Sequence, residues 1–380
     1  MSKLEITFAV LVFLGAYSYL IYPLILCALL VFFGRRPHGD LEDTPSVTFI
    51  IAAHNEEASI REKIENTLAL DYPKDRLEIV VASDGSTDGT DEIVGEYVDR
   101  GVRLVRVEER KGKENAQRQA IEAASGEVLV FSDISTRLDP DGVTKIVRRF
   151  ADRSVGCVSS EDRVVGADGK VESEGVYIRY EMMLRRLESE VFSVVGLSGS
   201  FFAARAEICR NWAPNIPSDF NTVALAVRAG LRGISDPDAI GTYGVVKEQS
   251  REFKRKVRTV LRGMAALFAN RDLIDPFRRP LFAFMMLSHK VLRWLVPFFL
   301  LAAFVVSAAG VPSSRFLALF FAVQVLGYVA AAGGILSEGL NKILPIRMAA
   351  FFVLVNAAIV VAWIDLIMGR RMVTWQPSKR

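Results

Sequence analysis

Cysteine and histidine are scarce in this 380-residue chain. The three cysteines, Cys27, Cys157 and Cys209, lie far apart, so their spacing supports neither a disulfide framework nor a zinc site. Such usage points to a reducing compartment. The three histidines, His38, His54 and His289, are equally dispersed, which argues against a histidine triad or a histidine metal centre. An excess of one charge is also missing. The net charge is +3, so nothing marks the chain as a nucleic-acid binder. Residues 44–279 lack the apolar excess of the two ends and hold most of the charge, as a soluble domain does.

The ends carry that apolar excess. Residues 6–33 are unbroken by charge and long enough to cross a hydrocarbon core of roughly 30 Å. The stretch is too long for the apolar part of a signal peptide and reads as a retained anchor. Arg35 and Arg36 follow it and favour the cytoplasm for what comes next. Residues 294–310, 316–336 and 348–368 are three further spans, with Pro297 expected to disturb only the first turn of its helix. One leading and three trailing spans put the C-terminus outside, whereas Arg370, Arg371, Lys379 and Arg380 argue for inside. The central domain is expected on the cytoplasmic side.

Before the trailing spans, EFKRKVRTVLRGMAALF (residues 252–268) places Phe253, Val257, Val260, Leu261, Met264 and Leu267 at helical spacing. Lys254, Arg255, Lys256, Arg258 and Arg262 cover the other faces. That pattern suits a helix lying among lipid headgroups, with an ordinary amphipathic surface helix as the alternative. The expected organisation is an anchor at 1–36, a soluble domain at 44–250, interface helices at 251–293, membrane helices at 294–370 and a tail at 371–380.

In the middle, apolar runs alternate with helical patterns. SVTFIIAAHNEE gives a strand, then a polar turn, then a helix over about 58–70. LEIVVASDGSTDGT gives a strand, an acidic turn and a helix from about Thr90. Residues 102–107 read as a strand, 113–124 as a helix, and GEVLVFSD as a fourth strand. Near-continuous apolar strands alternating with helices predict an α/β domain, its parallel sheet covered on both faces. Ligands of such sheets bind beyond the carboxyl ends of the strands. Three of those ends are polar: His54-Asn55-Glu56, Ser83-Asp84-Gly85-Ser86 and Ser132-Asp133-Ile134-Ser135.

A carboxylate at Asp133 with a second oxygen nearby suits Mg²⁺ or Mn²⁺, which take oxygen ligands and bridge to phosphate. The same residues also suit a plain turn before Leu-Asp-Pro. In GLSGSFFAAR, small residues flank Ser198 and Ser200, so a sugar or backbone can approach closely; a tight turn before a strand is the alternative. Asp219 opens a helix, which suits either a functional carboxylate or a simple helix-start acid.

The ordered set FIIAAHNEE, VVASDGSTDGT, RKGKENAQRQAIEAASGEVLVFSDIST, GLSGSFFAAR and PSDFNTVALAVRAG resembles the membrane-bound family 2 inverting glycosyltransferases. That class includes cellulose, chitin and hyaluronan synthases. The resemblance covers residues 47 to about 233, and the helix EFKRKVRTVLRG and the trailing spans are similar to the membrane subset. It implies a nucleotide-sugar-binding GT-A fold, Rossmann-like with a mostly parallel sheet. It places Ala53 and Glu56 near the base or ribose, Asp84 at the base, Lys113 near the diphosphate, and Asp133 at the metal and diphosphate. Ser198, Gly199 and Ser200 fall on the acceptor side, and Asp219 becomes the general base. Arg255 and Arg258 are further diphosphate candidates.

Three departures qualify the resemblance. Ser135 stands where the metal motif usually has a second Asp, and Ser218 stands where the base motif has a first acid. The Gln-x-x-Arg-Trp signature of processive synthases is missing, for no Trp follows Gln249 and Arg251. The expected activity is transfer of a sugar from a UDP-type donor to a lipid-linked or glycan acceptor at the inner (plasma) membrane, with Mg²⁺ or Mn²⁺. Two alternatives stand beside it. One is a nucleotidyltransferase, disfavoured by the missing Gly-rich basic loop. The other is a degraded transferase serving as a scaffold or export partner in polysaccharide assembly, for which Ser135 and Ser218 speak.

Overall fold

The computed structural model describes residues 1–34, 44–166, 175–244 and 249–370. The charges at Arg35, Arg36 and Arg371 and the tail at 371–380 lie outside the described residues. The chain divides into two compact units. One comprises the transferase-like segment 26–247 with 266–273, and the other the helices of 1–25, 248–265 and 274–371.

The first unit is built on an eight-stranded sheet. In chain order its strands are β1 (Val47–Ala53), β2 (Leu77–Asp84), β3 (Val102–Val107), β4 (Val128–Asp133), β5 (Arg137–Leu138), β6 (Val155–Val165), β7 (Phe201–Arg205) and β8 (Arg232–Gly244). The spatial order is β3-β2-β1-β4-β7-β6-β8-β5. Strands β3, β2, β1 and β4 are mutually parallel. The expected parallel run ends at β7, which is antiparallel to both β4 and β6. Strands β6 and β8 are parallel again. The sheet is therefore mixed and mostly parallel.

Strand β1 is buried at all seven positions, because it lies between two strands and beneath helices on both faces. On one face Phe49, Ile51, Val81 and Val130 join Ile60, Ile64, Val143 and Ile146 in a single core. On the other face Phe131 stacks between Phe202 and Trp212, with centroids 4.7 and 5.3 Å away. Gly126 precedes β4 because a Cβ there would meet the Thr48 nitrogen at 2.4 Å. Strand β3 forms one edge, and its exposed Arg103 and Arg106 pair with Glu78 and Asp91. Charged side chains on an edge discourage further strand pairing.

The second unit is helical. Among the described residues four helical runs are long and apolar enough to cross a membrane: Lys3–Phe32, Pro280–Gly310, Arg315–Leu336 and Leu344–Ile367. The run expected at 294–310 begins instead at Pro280, so Pro297 sits well inside it rather than in its first turn. A proline cannot donate to the preceding turn, and nearby groups re-satisfy the carbonyls there. The carbonyl that Pro297 leaves without its helical donor is that of Arg293; the next carbonyl along, of Trp294, accepts from the Trp363 indole at 2.9 Å. Arg370, one of the charges that argued for an inside C-terminus, is paired with Asp365 at 3.0 Å.

Candidate active site

The reversal at β7 makes the site. Strands β1, β2 and β4 deliver their carboxyl ends to one side of the sheet, and β7 starts on that same side. The contact is direct: the Asp133 amide donates to the Ser200 carbonyl at 2.9 Å. The loop after β1 thus meets the turns after β2 and β4 and the loop before β7.

Beyond β1, Ala53 is buried against Ser83 in the pairing register. Asn55 adopts a left-handed conformation at φ 53°, which asparagine tolerates better than most residues. Its side chain closes on the neighbouring turn by accepting from the Thr87 amide at 2.8 Å. The next residue, Glu56, is half-buried, and its amide donates to the Thr90 hydroxyl at 2.8 Å. Burial, then the nearby charges of Asp133 and Asp88, push the Glu56 carboxyl up to about 7.

Beyond β2, Gly85 takes the left-handed φ of 61° that the SDGS turn requires. Asp84 is 1% exposed. Its carboxylate accepts from the Lys111 amide at 2.9 Å and from the Gly112 amide at 3.0 and 2.9 Å. These bonds hold the loop that leads into the helix Lys113–Ala123. The Trp212 indole adds a second hold by donating to the Glu114 carbonyl at 3.0 Å. Lys113 is thereby placed at the end of β4. Its ammonium donates to Asp133 Oδ1 at 2.5 Å and reaches the Gly199 carbonyl at 3.4 Å.

The period of a strand sends Ser132 and Asp133 to opposite faces of the sheet. Asp133 meets Lys113. Ser132 meets Lys63, a fully buried lysine on the helix Ile60–Leu68, whose ammonium donates to Ser132 Oγ at 2.7 Å and to the Thr136 carbonyl at 2.6 Å. Burial lowers Lys63 to about 7, against the opposing pull of the Asp133 charge. Ser135 lies exposed in the turn between these two anchor points.

Asp219 sits in the first turn of the helix Ser218–Arg228. One of its oxygens accepts from the Phe220 amide at 2.9 Å, which orients the carboxylate. A Cβ on Gly199 would lie 3.9 Å from the Asp219 Cβ. Gly199 therefore has Lys113 on its carbonyl and Asp219 beside its Cα. Ser198 and Ser200 point elsewhere: both hydroxyls donate to Asp162 Oδ1, at 2.6 and 2.7 Å. Asp162 stands near the end of β6 and braces the loop.

Asp133, Lys113, Gly199 and Asp219 thus form one connected set, with Glu56 close enough to Asp133 to feel its charge. Arg255 and Arg258 belong to the other unit, on the helix Gln249–Ala269. Arg258 is lowered by burial and by its neighbours Arg262 and Arg255. Lys63, Asp162 and Trp212 escaped the sequence reading. A signal existed for Lys63, since it interrupts the buried stripe of Ile60, Ile64 and Thr67.

Residues 48–212 match the family described as Glycosyl transferase family 2. This segment is a family 2 glycosyltransferase domain. Curated relatives include the poly-beta-1,6-N-acetyl-D-glucosamine synthase of Staphylococcus aureus (strain COL), 28% identical over 175 residues, or 44% of this chain and 41% of the relative. The probable glycosyltransferase YdaM of Bacillus subtilis (strain 168) is 29% identical over 178 residues, or 44% of this chain and 42% of the relative. The match spans about two fifths of the length of these relatives. Among solved structures, a mannosyltransferase from Pyrobaculum calidifontis, in complex with GDP-Man and Mn²⁺, superposes with a TM-score of 0.76 at 23% identity. That superposition covers 97% of this chain and 99% of the other, and it shows that the transferase domain has the GT-A fold.

Proposed function

We propose that this glycosyltransferase moves a sugar from a UDP-type nucleotide donor to a lipid-linked or glycan acceptor, inverting the anomeric centre. The observation that carries the reading is the juxtaposition of Asp133 and Lys113 with Asp219 across Gly199. Inversion needs a base on the acceptor side and positive charge on the leaving side, with no covalent intermediate.

Asp219 takes the proton of the acceptor hydroxyl as that oxygen attacks the anomeric carbon. The bond from that carbon to the diphosphate breaks, and the diphosphate leaves with the electron pair. The Lys113 ammonium supports the charge that develops there. Ala53, Glu56 and Asp84, at the ends of β1 and β2, fall on the nucleotide side, and Ser198 and Ser200 shape the acceptor loop.

The donor set fits a hard divalent cation. Asp133 and Ser135 offer oxygens; burial first, and then the charges of Asp133 and Asp88, raise the Glu56 carboxyl, and the charge part of that effect is of the kind a cation relieves. Bound there by Asp133 and Ser135, Mg²⁺ or Mn²⁺ would neutralise charge on the diphosphate.

The transferase domain faces the cytoplasm in this reading. With four spans, the connection between Leu336 and Leu344 also falls inside, and Lys342 and Arg347 supply positive charge in and just after it. The helix Gln249–Ala269, with Lys254, Arg255 and Lys256, suits an anionic inner leaflet. The missing Gln-x-x-Arg-Trp signature favours limited addition over long-chain synthesis, and a glycan acceptor fits the name of the poly-beta-1,6-N-acetyl-D-glucosamine synthase relative.

The test is a panel of UDP- and GDP-sugars offered to the purified protein in nanodiscs, scored by released nucleoside diphosphate. Turnover of one donor well above the others is expected. No release from any nucleotide sugar, with membrane lipid extract present as acceptor, overturns the reading.

A further inference from the structure

We propose that Lys63 is a positioning residue for the donor's diphosphate and its cation, acting through the 132–136 turn that carries Asp133 and Ser135. This rests on the donor assignment proposed above.

Four hydrogen bonds from one helix hold this turn and the strand β5 that follows it. Lys63 reaches both ends of the turn, Ser132 Oγ at 2.7 Å and the Thr136 carbonyl at 2.6 Å. One helical turn on, Asn66 donates to the Leu138 carbonyl and accepts from the Leu138 amide, each at 3.0 Å. The same helix starts from the Glu56 loop, since the Ser59 and Ile60 amides both donate to the Glu56 carbonyl at 2.9 Å. The helix therefore links the loop after β1 to the turn after β4, the two segments that bring Glu56 and Asp133 together.

Reach alone does not explain a lysine here. A buried ammonium is costly unless a carboxylate or a strong acceptor set offsets it. Both hydrogen-bond partners of Lys63 among the described residues are neutral oxygens. The ring of Phe49, 5.5 Å away, adds a modest cation–π attraction. The nearby carboxylate of Asp133 is already taken by Lys113. Two lysines thus grip the end of β4, one from each face of the sheet, around a turn in which Ser135 replaces the usual second acid. The Lys63 ammonium, which has no carboxylate among its hydrogen-bond partners, is what an incoming diphosphate would help to compensate.

The experiment uses full-length protein in detergent, with UDP and GDP as calorimetric probes in Mn²⁺ and in chelator, beside thermal unfolding of the same samples. Wild type is expected to bind one of them more tightly in Mn²⁺. In K63M, affinity in Mn²⁺ should fall about 10- to 100-fold, with a smaller change in chelator, as loss of a ligand-orienting partner does. Its thermal midpoint should stay close to wild type, because removal of a buried charge offsets the two lost hydrogen bonds. A purely structural lysine would give the reverse: a lower midpoint with the Mn²⁺ gain intact, and that result overturns the proposal. S132A, which keeps the ammonium, should weaken Mn²⁺-dependent binding in the same direction by a smaller factor. Should K63M fail to fold, unchanged binding by S132A overturns the proposal. If wild type binds neither nucleotide, the donor assignment falls first.

Discussion

The transferase domain and the membrane helices use their polar contacts differently: in the first they converge on loops at the strand ends, in the second they run within a helix or between packed helices. In the transferase domain the partners converge from distant parts of the chain. Asp84 is held by a loop 27 residues on, Lys63 by a turn 69 residues on, and Lys113 reaches a carbonyl 86 residues on. In the helical unit several are made locally or one helix away. Asn356 Nδ2 donates to the Phe352 carbonyl one turn back, and the Gln324 amide donates to Ser307 on the adjacent helix at 2.9 Å. A convergent network fixes positions to within a hydrogen bond and can build a reactive centre. A local network keeps helices whole and leaves function to length and apolarity. Disturbing the first should therefore change chemistry with little loss of fold, and disturbing the second should do the reverse.

The largest effect is expected at Asp219. D219N should cut turnover about 10²- to 10⁴-fold, the usual contribution of a general base. Nucleotide affinity by calorimetry and the thermal midpoint should both stay at wild-type values, since Asn still accepts from the Phe220 amide. Full activity in this variant removes Asp219 as base. Next comes D133A. It should lose about 10- to 100-fold in Mn²⁺-dependent nucleotide affinity. It also leaves Lys113, whose side chain is 9% exposed, without its carboxylate, so some stability should go with it. Equal binding with and without chelator in wild type breaks the metal assignment.

The order of these effects reflects how the site could be read. The strand ends were legible because apolar runs stop abruptly at polar clusters, and β1, β3 and β4 fall where the pattern puts them. The pairing of Asp133 with Lys113 was not legible, although the resemblance set both at the diphosphate. It depends on a loop held by Asp84, a carboxylate that the resemblance assigned to the base. The bracing of Ser198 and Ser200 by Asp162 was hidden because β6 carries no turn or motif to announce it. The antiparallel β7 was hidden too, since alternation of strands and helices says nothing of direction once the connections become irregular. In the helical unit, hydropathy found all four spans but missed the start at Pro280 and the pairing of Arg370 with Asp365.

A third test uses pH. The Glu56 carboxyl is raised to about 7, so the folded state holds more protons than the unfolded one between 4.5 and about 7. That contribution is fully present below pH 4.5 and is lost as pH rises through 7. The Lys63 ammonium is lowered to about 7, so the unfolded state holds more protons between about 7 and 10.5, and stability rises with pH in that window. The two together predict a shallow minimum of thermal stability near pH 7 in the absence of ligand. E56Q should flatten the limb below pH 7, and K63M the limb above it. Measured by thermal unfolding in detergent across pH 5–9, a profile that only falls in wild type would contradict the Lys63 assignment, and one that only rises the Glu56 assignment.

The smallest effect should come from the helical unit. W363F keeps the ring and removes the indole donor that meets the Trp294 carbonyl near Pro297. Hydrogen bonds between membrane helices contribute on average about 0.6 kcal/mol, because the alternatives in lipid also find partners. Pro297 deprives the Arg293 carbonyl of its donor, not the Trp294 carbonyl, so the loss should lie near that average. The thermal midpoint should fall by a degree or two while nucleotide affinity and donor turnover stay unchanged. Should W363F instead alter nucleotide affinity as much as D133A does, the division between a convergent, reactive network and a local, supporting one fails. The membrane helices would then have to be counted as part of the donor site's machinery.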